Sequence, residues 1–504
     1  MTPPFRRVLV ANRGEIAIRI IRACRELGIE AVAVYSDVDR DAPHVRAADR
    51  AENIGPAAAA ASYLSIDALL DAARRSDAEA VHPGYGFLSE SATFARAVAA
   101  AGLVFVGPPP ETMQHLGDKL AARRTAADAG VAVTPGLMVA VDEARLVEVD
   151  DLGYPLLVKA AAGGGGRGVR RVDDPAGMPE ALDSARREAT AAFGDGTLYV
   201  ERLIVGARHV EVQLLGDRHG GLAVLGEREC SVQRRHQKLV EEAPAPGLGE
   251  EIRERLAADA RRIAEAVPFH SAATVEFLLD RDRHHWFLEM NTRLQVEHGV
   301  TELVTGVDLV AWQLRVAAGE RLPSEVLEAP RRGHAIQVRL YAEDPWEAFR
   351  PTTGRIGAWR MADGPGVRVD AGVEADLDLP TEYDPLLAKL MVHATDRPAA
   401  VARLRRALDE TRIGGVATTL GFHRWLVDQP AFIAGKYDTG LVPDLWVDGP
   451  GLSDGEGQTA ATAVAGARAT GVTPRPPAAS SNGARVTPGD RPWARLAREE
   501  AIES

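Results

Sequence analysis

Cysteine is nearly absent from this chain of 504 residues, which contains only Cys24 and Cys230. Such a low count argues against a disulfide framework and predicts a reduced, cytoplasmic protein. No apolar run is long enough to span a bilayer, and no signal-peptide core precedes the first predicted strand. The net charge is −13 and the basic residues are spread along the chain, which argues against binding to nucleic acid or to an anionic membrane.

Lysine is also scarce, because the 59 basic residues include only Lys119, Lys159, Lys238, Lys389 and Lys436. Arginine fills the other basic positions. We therefore hypothesise that a retained lysine occupies a place where a planar guanidinium does not fit, such as close to a single phosphate oxygen. Lys159 and Lys238 fall inside motifs described below, and Lys119 belongs to the short segment GDK at 117–119.

The remaining composition is that of a large globular protein. Hydrophobic residues make up 46% of the sequence, and the length suggests about three domains. Residues 6–115 alternate apolar strands with helical patterns, which predicts βαβ units and a parallel sheet. The first turn, from Asn12 to Glu15, lacks the G-x-G-x-x-G fingerprint, so we predict a Rossmann-like domain that binds no dinucleotide.

A glycine-rich loop lies between two predicted strands, the first of which ends at Lys159. The loop matches G-x-G-x-x-G at Gly163, Gly165 and Gly168, but neither a helix nor the Lys-Ser/Thr pair of a P-loop follows. Strand, loop and strand instead predict a flap whose backbone N–H groups fold over an anion. Lys159 would reach the same phosphates.

The most informative stretch is 272–298, where two apolar runs flank a short polar turn, the pattern of a β-hairpin. If the turn is centred near residues 282–283, Glu276 lies opposite Glu289, and Asn291 shares the face of Glu289. Two carboxylates and an amide oxygen are ligands that Mg²⁺ prefers when it also contacts phosphates. The hairpin therefore predicts a metal site.

Two further segments are predicted to bind a small anion. Arg293, Gln295 and Glu297 are two residues apart, so in an extended chain their side chains point the same way, next to the metal site. The cationic turn 233–238 suits bicarbonate or phosphate. A strand at 197–204, which includes Glu201, is a candidate for contact with an adenine or ribose.

The rest of the chain is predicted to form a helix followed by a domain of a different fold class. One helix is predicted at 303–319. From 331 the pattern is rich in strands, with Arg339 on the first of them and a helix at 397–410, so we predict an α+β domain. From about 448 the sequence becomes rich in Gly, Ala, Ser and Pro and loses periodicity, which predicts a flexible linker before a short final helix.

Together these motifs resemble the biotin carboxylases, the ATP-grasp components of biotin-dependent acyl-CoA carboxylases of the acetyl, propionyl and methylcrotonyl type. The resemblance covers about residues 5–447 and rests on VANRGEIAIRIIRA, HPGYGFLSE, VKAAAGGGGRG, GERECSVQRRHQK and EMNTRLQVEH. It implies an α/β and α+β fold with a Rossmann-like domain at 1–117, an ATP-grasp domain at 118–330 with a mobile lid at about 133–203, a C-terminal α+β domain at 331–447, and the linker and helix at 448–504.

The resemblance also implies a role for each candidate residue. The residues expected to contact ATP are Lys119, Lys159, Gly164, Gly165, Gly166, Glu201, His209, Gln233 and His236. Mg²⁺ or Mn²⁺, with two ions expected, would be bound by Glu276, Glu289 and Asn291. Bicarbonate would be bound by Lys238, Arg293, Gln295 and Val296, with Glu297 as the general base. Arg339 would stabilise the enolate-like oxygen of biotin, and Tyr85 would lie beside the biotin.

The implied reaction is the ATP-dependent carboxylation of biotin by bicarbonate through carboxyphosphate, which yields carboxybiotin, ADP and phosphate. None of the five lysines lies in a Met-Lys-Met biotinylation motif. We therefore expect biotin to arrive on a separate carrier protein and a carboxyltransferase subunit to complete the reaction. The resemblance further implies a homodimer, whereas the sequence does not identify the acyl-CoA.

Two other functions stay open on the sequence alone. Another ATP-grasp ligase, which joins a carboxyl phosphate to an amine, would share the flap and the metal-binding hairpin. A non-enzymatic ATP-binding subunit would need neither a base nor an anion site. The strand with Arg293, Gln295 and Glu297, the segment HPGYGF and Arg339 argue against the other ligase. The intact metal ligands and the base argue against the non-enzymatic subunit.

Overall fold

The computed structural model describes residues 3–137, 146–161 and 169–447. The glycines of the predicted flap, Gly163 to Gly168, and the predicted linker and helix at 448–504 lie outside these ranges. Among the described residues, no helix is both long enough and apolar enough to cross a membrane.

The N-terminal residues fold around a five-stranded parallel sheet, as the alternating pattern predicts. In spatial order its strands are Arg50–Asn53, Glu30–Tyr35, Arg7–Val10, Ala80–His82 and Val104–Phe105. The helices of this part are Gly14–Glu26, Pro43–Ala47, Ile66–Arg75 and Ala92–Ala100. The edge strand Arg50–Asn53 has no buried residue, so it lacks the apolar run by which the other strands are recognised.

Two helices, Pro110–Gly117 and Lys119–Asp128, lead into the next part of the chain. Asp118 caps the second helix, because its Oδ1 accepts a hydrogen bond from the backbone N–H of Ala121 at 2.8 Å. The cap places Lys119 in the first turn.

A four-stranded antiparallel sheet follows, with a helix packed against it. Its strands, in spatial order, are Gly136–Leu137, Leu198–Arg202, Leu156–Ala160 and Arg170–Val172. The helices of this part are Leu146–Asp150 and Met178–Phe193. Val158, Leu182 and Val200 belong to the same buried core, which fixes the strand that ends beside Lys159.

An eight-stranded antiparallel sheet occupies the centre of the molecule. In spatial order its strands are His285–Asn291, Ser271–Leu279, Arg208–Gly216, Leu222–Arg234, Gln237–Ala243, His334–Tyr341, Leu386–Ala394 and Val367–Ala371. The sheet continues across the predicted boundary at 330, because Gln237–Ala243 pairs with His334–Tyr341. Residues from both sides of that boundary therefore share one sheet.

The helices packed around this sheet are Glu250–Glu265, His298–Thr305, Leu309–Ala317 and Ser324–Leu327. The prediction of a single helix at 303–319 is wrong. One helix begins at His298 and ends at Thr305. Gly306 follows it with a left-handed φ of +74°. Asp308 then caps a new helix by accepting a hydrogen bond from the backbone N–H of Ala311 at 2.7 Å.

The C-terminal residues add two small sheets and four helices. The paired strands are Glu343–Asp344 with Arg350–Pro351, and Ala358–Arg360 with Arg412–Gly414. The helices are Arg397–Glu410, Leu420–Leu426, Pro430–Ala434 and Leu441–Leu445. Leu404, Phe422 and Phe432 are fully buried here, and each such side chain stabilises the fold by about 1.5–3 kcal/mol.

Candidate active site

The predicted hairpin is present, and its register is confirmed. Ser271–Leu279 pairs with His285–Asn291, and Glu276 lies directly opposite Glu289. A bulge follows, because the next partners along the ladder are Phe277 and Phe287. Both phenylalanines are fully buried in the core. The bulge therefore lies between the buried phenylalanine pair and the pair of carboxylates.

Asn291 completes the predicted metal-binding group. Its Nδ2 lies 2.9 Å from Glu276 Oε1 and 3.2 Å from Glu289 Oε1, and half a turn of the amide directs its oxygen to the same point. Although burial acts to raise the pKa of Glu276, Lys238 and His209 outweigh it and hold that pKa well below the usual range. An ionised carboxylate, a second carboxylate and an amide fit a hard divalent cation.

Lys238 forms hydrogen bonds both to Glu276, a predicted metal ligand, and to Glu297, the predicted base. Its Nζ donates hydrogen bonds to Glu211 Oε2 at 2.6 Å, to Glu276 Oε1 at 2.9 Å and to Glu297 Oε1 at 2.7 Å. Burial would lower the pKa of Lys238, but these carboxylates raise it well above its usual value, so the ammonium stays charged. One cation thus faces three carboxylates.

Arg339 reaches Glu297 from the opposite side. Its Nη2 lies 3.1 Å from Glu297 Oε2, and its Nε donates to Glu241 Oε1 at 2.6 Å. Glu297 is fully buried. Burial acts to raise its pKa, yet Lys238, Arg339 and Arg228 hold the pKa of Glu297 well below its usual range. A second anion that enters here would share the cations that now surround Glu297.

The segment that carries Glu297 is not extended, contrary to the prediction. The strand ends at Asn291, and Glu297 immediately precedes the helix His298–Thr305. The curvature of this turn, rather than the alternation of a strand, directs its side chains toward the site.

Arg293 and Gln295 nevertheless lie together, as predicted. Arg293 Nη1 donates to Gln295 Oε1 at 3.0 Å, and Gln295 Nε2 lies 3.4 Å from Glu276 Oε1. The Nε of Arg293 forms an ion pair with Glu90 at 3.0 Å, which ties the turn to the N-terminal loop 82–90.

Lys159 and Glu201 lie on neighbouring strands and form an ion pair. The other oxygen of Glu201 accepts hydrogen bonds from Arg123 Nη1 at 2.8 Å and from Thr134 Oγ1 at 2.9 Å. Arg123 is 1% exposed. Because protein groups already satisfy both carboxylate oxygens, the Glu201 side chain holds Lys159 and Arg123 in place.

Two histidines and a glutamine were also predicted to contact ATP. His209 Nε2 lies 2.6 Å from Glu276 Oε2, and Gln233 Nε2 lies 3.3 Å from His209 Nδ1. His236 lies in the two-residue turn before strand Gln237–Ala243 with a φ of +66°. Desolvation and the positive charge of Lys159 lower the pKa of His236.

Lys119 and Tyr85 were predicted to contact ATP and biotin, respectively. Desolvation lowers the pKa of Lys119, and the charge of Glu289 opposes that effect. Tyr85 is half-buried, and its backbone oxygen accepts a hydrogen bond from Asn12 Nδ2 at 2.7 Å. Of the predicted site residues, Gly164, Gly165 and Gly166 alone lie outside the described ranges.

Comparison with known proteins decides the family. Models of the biotin carboxylase N-terminal domain and C-terminal domain match residues 4–113 and 337–444, and a model of the ATP-binding domain of the carbamoyl-phosphate synthase L chain matches residues 118–325. A biotin carboxylase of Nostoc sp. is 48% identical over 443 residues, which are 88% of this chain and 99% of that protein.

The chain belongs to the biotin carboxylase family. It is an ATP-dependent enzyme whose reaction is the carboxylation of biotin. The methylcrotonoyl-CoA carboxylase subunit alpha of Oryza sativa is 48% identical over 440 residues, 86% of this chain and 60% of that longer protein. The biotin carboxylase domain dimer of Hydrogenobacter thermophilus 2-oxoglutarate carboxylase, solved with MgADP, ADP and bicarbonate, has a TM-score of 0.85 at 42% identity and covers 87% of this chain and 97% of that one.

Sequence reasoning missed several buried polar residues of this biotin carboxylase site. Arg228 is fully buried and donates to Glu211 Oε1 at 2.5 Å and to Gln213 Oε1 at 2.7 Å. Gln337 donates to Glu241 Oε2 at 2.9 Å. The available signal was a charged or amide side chain inside an otherwise apolar strand, because such groups are buried only when they are paired.

Proposed function

We propose that the residues of this site activate bicarbonate with ATP and transfer the carboxyl group to biotin. The observation that supports this is the position of Glu297 between Lys238 and Arg339, with Lys238 also bonded to Glu276 of the metal-binding pair. The proposed base, the proposed bicarbonate site and the proposed metal site are thus connected through hydrogen bonds of Lys238. A reaction between bicarbonate and a nucleotide phosphate requires such proximity.

Glu276, Glu289 and Asn291 would hold Mg²⁺ or Mn²⁺, and we propose two ions. The metal would neutralise charge on the transferring phosphoryl group. Lys119, Lys159, His209, Gln233 and His236 would contact the nucleotide, together with the strand of Glu201. The glycines Gly164, Gly165 and Gly166 would close over the phosphates, and closure would exclude water from a labile intermediate.

Bicarbonate would lie against Lys238, Arg293, Gln295 and the backbone of Val296. Lys238, Arg339 and Arg228 hold the pKa of Glu297 well below its usual range, which weakens it as a base. Bicarbonate shares Lys238 and Arg339 on binding, so the two anions compete for the same cations and the basicity of Glu297 rises. Proton transfer to Glu297 then lets a bicarbonate oxygen attack the γ-phosphorus, with ADP as the leaving group.

The product of that step is carboxyphosphate, which breaks down to CO₂ and phosphate. The phosphate accepts the proton from N1′ of biotin, N1′ attacks CO₂, and carboxybiotin forms. Arg339 stabilises the negative charge on the ureido oxygen. Tyr85 would lie beside the biotin ring.

We further propose that biotin arrives on a separate carrier protein and that a carboxyltransferase subunit completes the reaction. The support is that the biotin carboxylase of Nostoc sp. aligns with this chain over 99% of its own length. The dimer of the Hydrogenobacter thermophilus domain supports a homodimer. Cys24 and Cys230 are both free and buried, which supports the cytoplasm as the compartment.

The decisive assay measures ADP release and carboxybiotin formation with free biotin, bicarbonate and Mg²⁺. We expect turnover to require biotin and bicarbonate together. ATP hydrolysis that responds to an amine acceptor and not to biotin would instead identify another ligase. Absence of ATP turnover with intact nucleotide binding would identify a non-enzymatic subunit.

A further inference from the structure

Lys389 is a buried cation that the proposed chemistry does not use. It lies on the strand Leu386–Ala394 and is 0% exposed. Its Nζ donates a hydrogen bond to the backbone oxygen of Val296 at 3.0 Å and lies 3.0 Å from Glu15 Oε2. The same nitrogen lies 5.7 Å from the centre of the Tyr85 ring. The ammonium therefore contacts residues from three parts of the chain, and two of them border the proposed bicarbonate and biotin sites.

The register of the central sheet explains why Lys389 lies there. Lys389 is directly opposite Arg339 on one neighbouring strand and directly opposite Asp370 on the other. Residues opposite each other in antiparallel strands project from the same face. Arg339 contacts the Glu297 carboxylate, and Lys389 contacts the main chain one residue earlier. Two adjacent cations thus support the turn Val296–Glu297, one through a side chain and the other through the backbone.

Two carboxylates surround the buried ammonium. Burial raises the pKa of Glu15 to about 7, although the charge of Lys389 opposes that rise. Burial also acts to raise the pKa of Asp370, but Lys389 and Arg368 outweigh it and hold that pKa well below its usual range. Asp370 therefore stays ionised and balances the charge of Lys389, whose Nζ lies 3.8 Å from an Asp370 oxygen. Arg368 also forms an ion pair with Asp370 at 2.8 Å, which fixes the position of that carboxylate.

The choice of lysine agrees with this geometry. A carbonyl oxygen and a carboxylate oxygen lie at the same distance from one nitrogen, which a compact ammonium with three donors can satisfy. The planar, forked guanidinium of arginine has a different donor geometry and does not present one compact nitrogen to both oxygens. The basic residues of this chain are nearly all arginine. Lys389, like Lys238, agrees with the hypothesis that a retained lysine occupies a place where a planar guanidinium does not fit.

We propose that Lys389 is a positioning residue that holds the backbone carbonyl of Val296 and thereby orients the Glu297 carboxylate toward bicarbonate. This inference rests on the proposed function, because it assigns the turn Val296–Glu297 to bicarbonate. Lys389 does not touch substrate, and it acts through the turn and through the ring of Tyr85. A loss of Lys389 should therefore affect bicarbonate far more than ATP, since the nucleotide-binding lysines lie on other elements.

The test is Lys389→Met, which keeps the length of the side chain and removes the donor. The matched control is Lys436→Met, which removes an exposed lysine of the same C-terminal part. We expect KM for bicarbonate to rise about tenfold and kcat to fall about tenfold, whereas Kd for ATP changes by less than about twofold. Lys436→Met should match the wild type in all three quantities. Thermal melting of each variant shows whether the fold is kept.

A merely structural role predicts a different pattern. If Lys389→Met keeps KM for bicarbonate within about twofold, or weakens ATP binding as much as bicarbonate binding, the inference is overturned. If the wild type itself shows no bicarbonate- and biotin-dependent turnover, the proposed function fails instead. Should Lys389→Met not fold, the double variant Lys389→Met/Asp370→Asn, which removes the donor and its counter-charge together, is measured against the same two outcomes.

Discussion

Replacement of Glu297 by glutamine tests the proposed base while it leaves the rest of the site in place. The two side chains have nearly the same shape, and the change removes only the charge and the basic oxygen. Lys238 keeps its hydrogen bonds to Glu211 and Glu276, and Arg339 keeps its bond to Glu241. No buried cation is left without a carboxylate, so we expect the variant to fold.

The size of the effect follows from the role. A positioned general base contributes about 10²–10⁴-fold to a rate, which corresponds to about 3–5 kcal/mol of activation free energy. We therefore expect kcat for biotin-dependent ATP hydrolysis to fall by about 10²–10⁴-fold in Glu297→Gln. Kd for ATP, measured by calorimetry, should change by less than about threefold, because the nucleotide contacts are elsewhere.

The matched control is Glu328→Gln, an exposed glutamate at the end of the helix Ser324–Leu327, which should keep full activity. A fall in kcat of less than about threefold in Glu297→Gln would refute the assignment of the base. Equal losses in kcat and in ATP affinity would also refute it, because they would show a damaged nucleotide site rather than a missing proton acceptor.

Three further predictions concern the metal, the nucleotide and pH. Glu289→Gln should raise the Mg²⁺ concentration needed for half-maximal turnover by about tenfold, because one of two carboxylates is lost; a Mg²⁺ titration checks this. Arg123→Met should raise KM for ATP about tenfold and leave KM for bicarbonate unchanged, because Glu201 loses the cation that fixes it beside Lys159; steady-state kinetics checks this. Glu15→Gln should become more stable relative to the wild type as pH rises from 5 to 8, measured by thermal melting at each pH.

The sign of the pH effect follows from burial, which raises the pKa of Glu15 to about 7 from its reference value of 4.5. The native state therefore binds this proton more tightly than the unfolded chain does. The contribution of Glu15 to stability is fully present below the unfolded pKa and is lost as pH rises through 7, by about 2–3 kcal/mol between pH 5 and pH 8. A glutamine carries no such dependence, and parallel curves for the two proteins would contradict the assignment.

The elements predicted best were those defined by neighbouring residues. The register that places Glu276 opposite Glu289 followed from the length of the turn and the apolar runs beside it, and the structure confirms it. The helix at 397–410 also agrees with its prediction. In both cases residues close together in the chain specified the element: a short polar turn between two apolar runs for the hairpin, and the hydrophobic period for the helix.

The predictions that failed depended on contacts between distant segments. The residues 293–297 alternate in polarity as a strand would, yet they form a turn, because no neighbouring strand pairs with them beyond Asn291. The helix predicted at 303–319 is divided at Gly306, where the chain must turn to pack a second helix against the sheet. Glu211 and Arg228 were missed because their pairing joins two strands.

The sequence by itself determined the family, the hairpin and the residue types of the site, because motif spacing and hydrophobic period are local properties. It also indicated that the rare lysines matter. Only the tertiary structure decided that Lys238 bonds to three carboxylates, that Arg339 and Lys389 stand side by side, and that both support the turn at Val296–Glu297. The physical reason is that the pairing of strands far apart in the chain sets which buried charges meet, and the cost of burying an unpaired charge then fixes that arrangement.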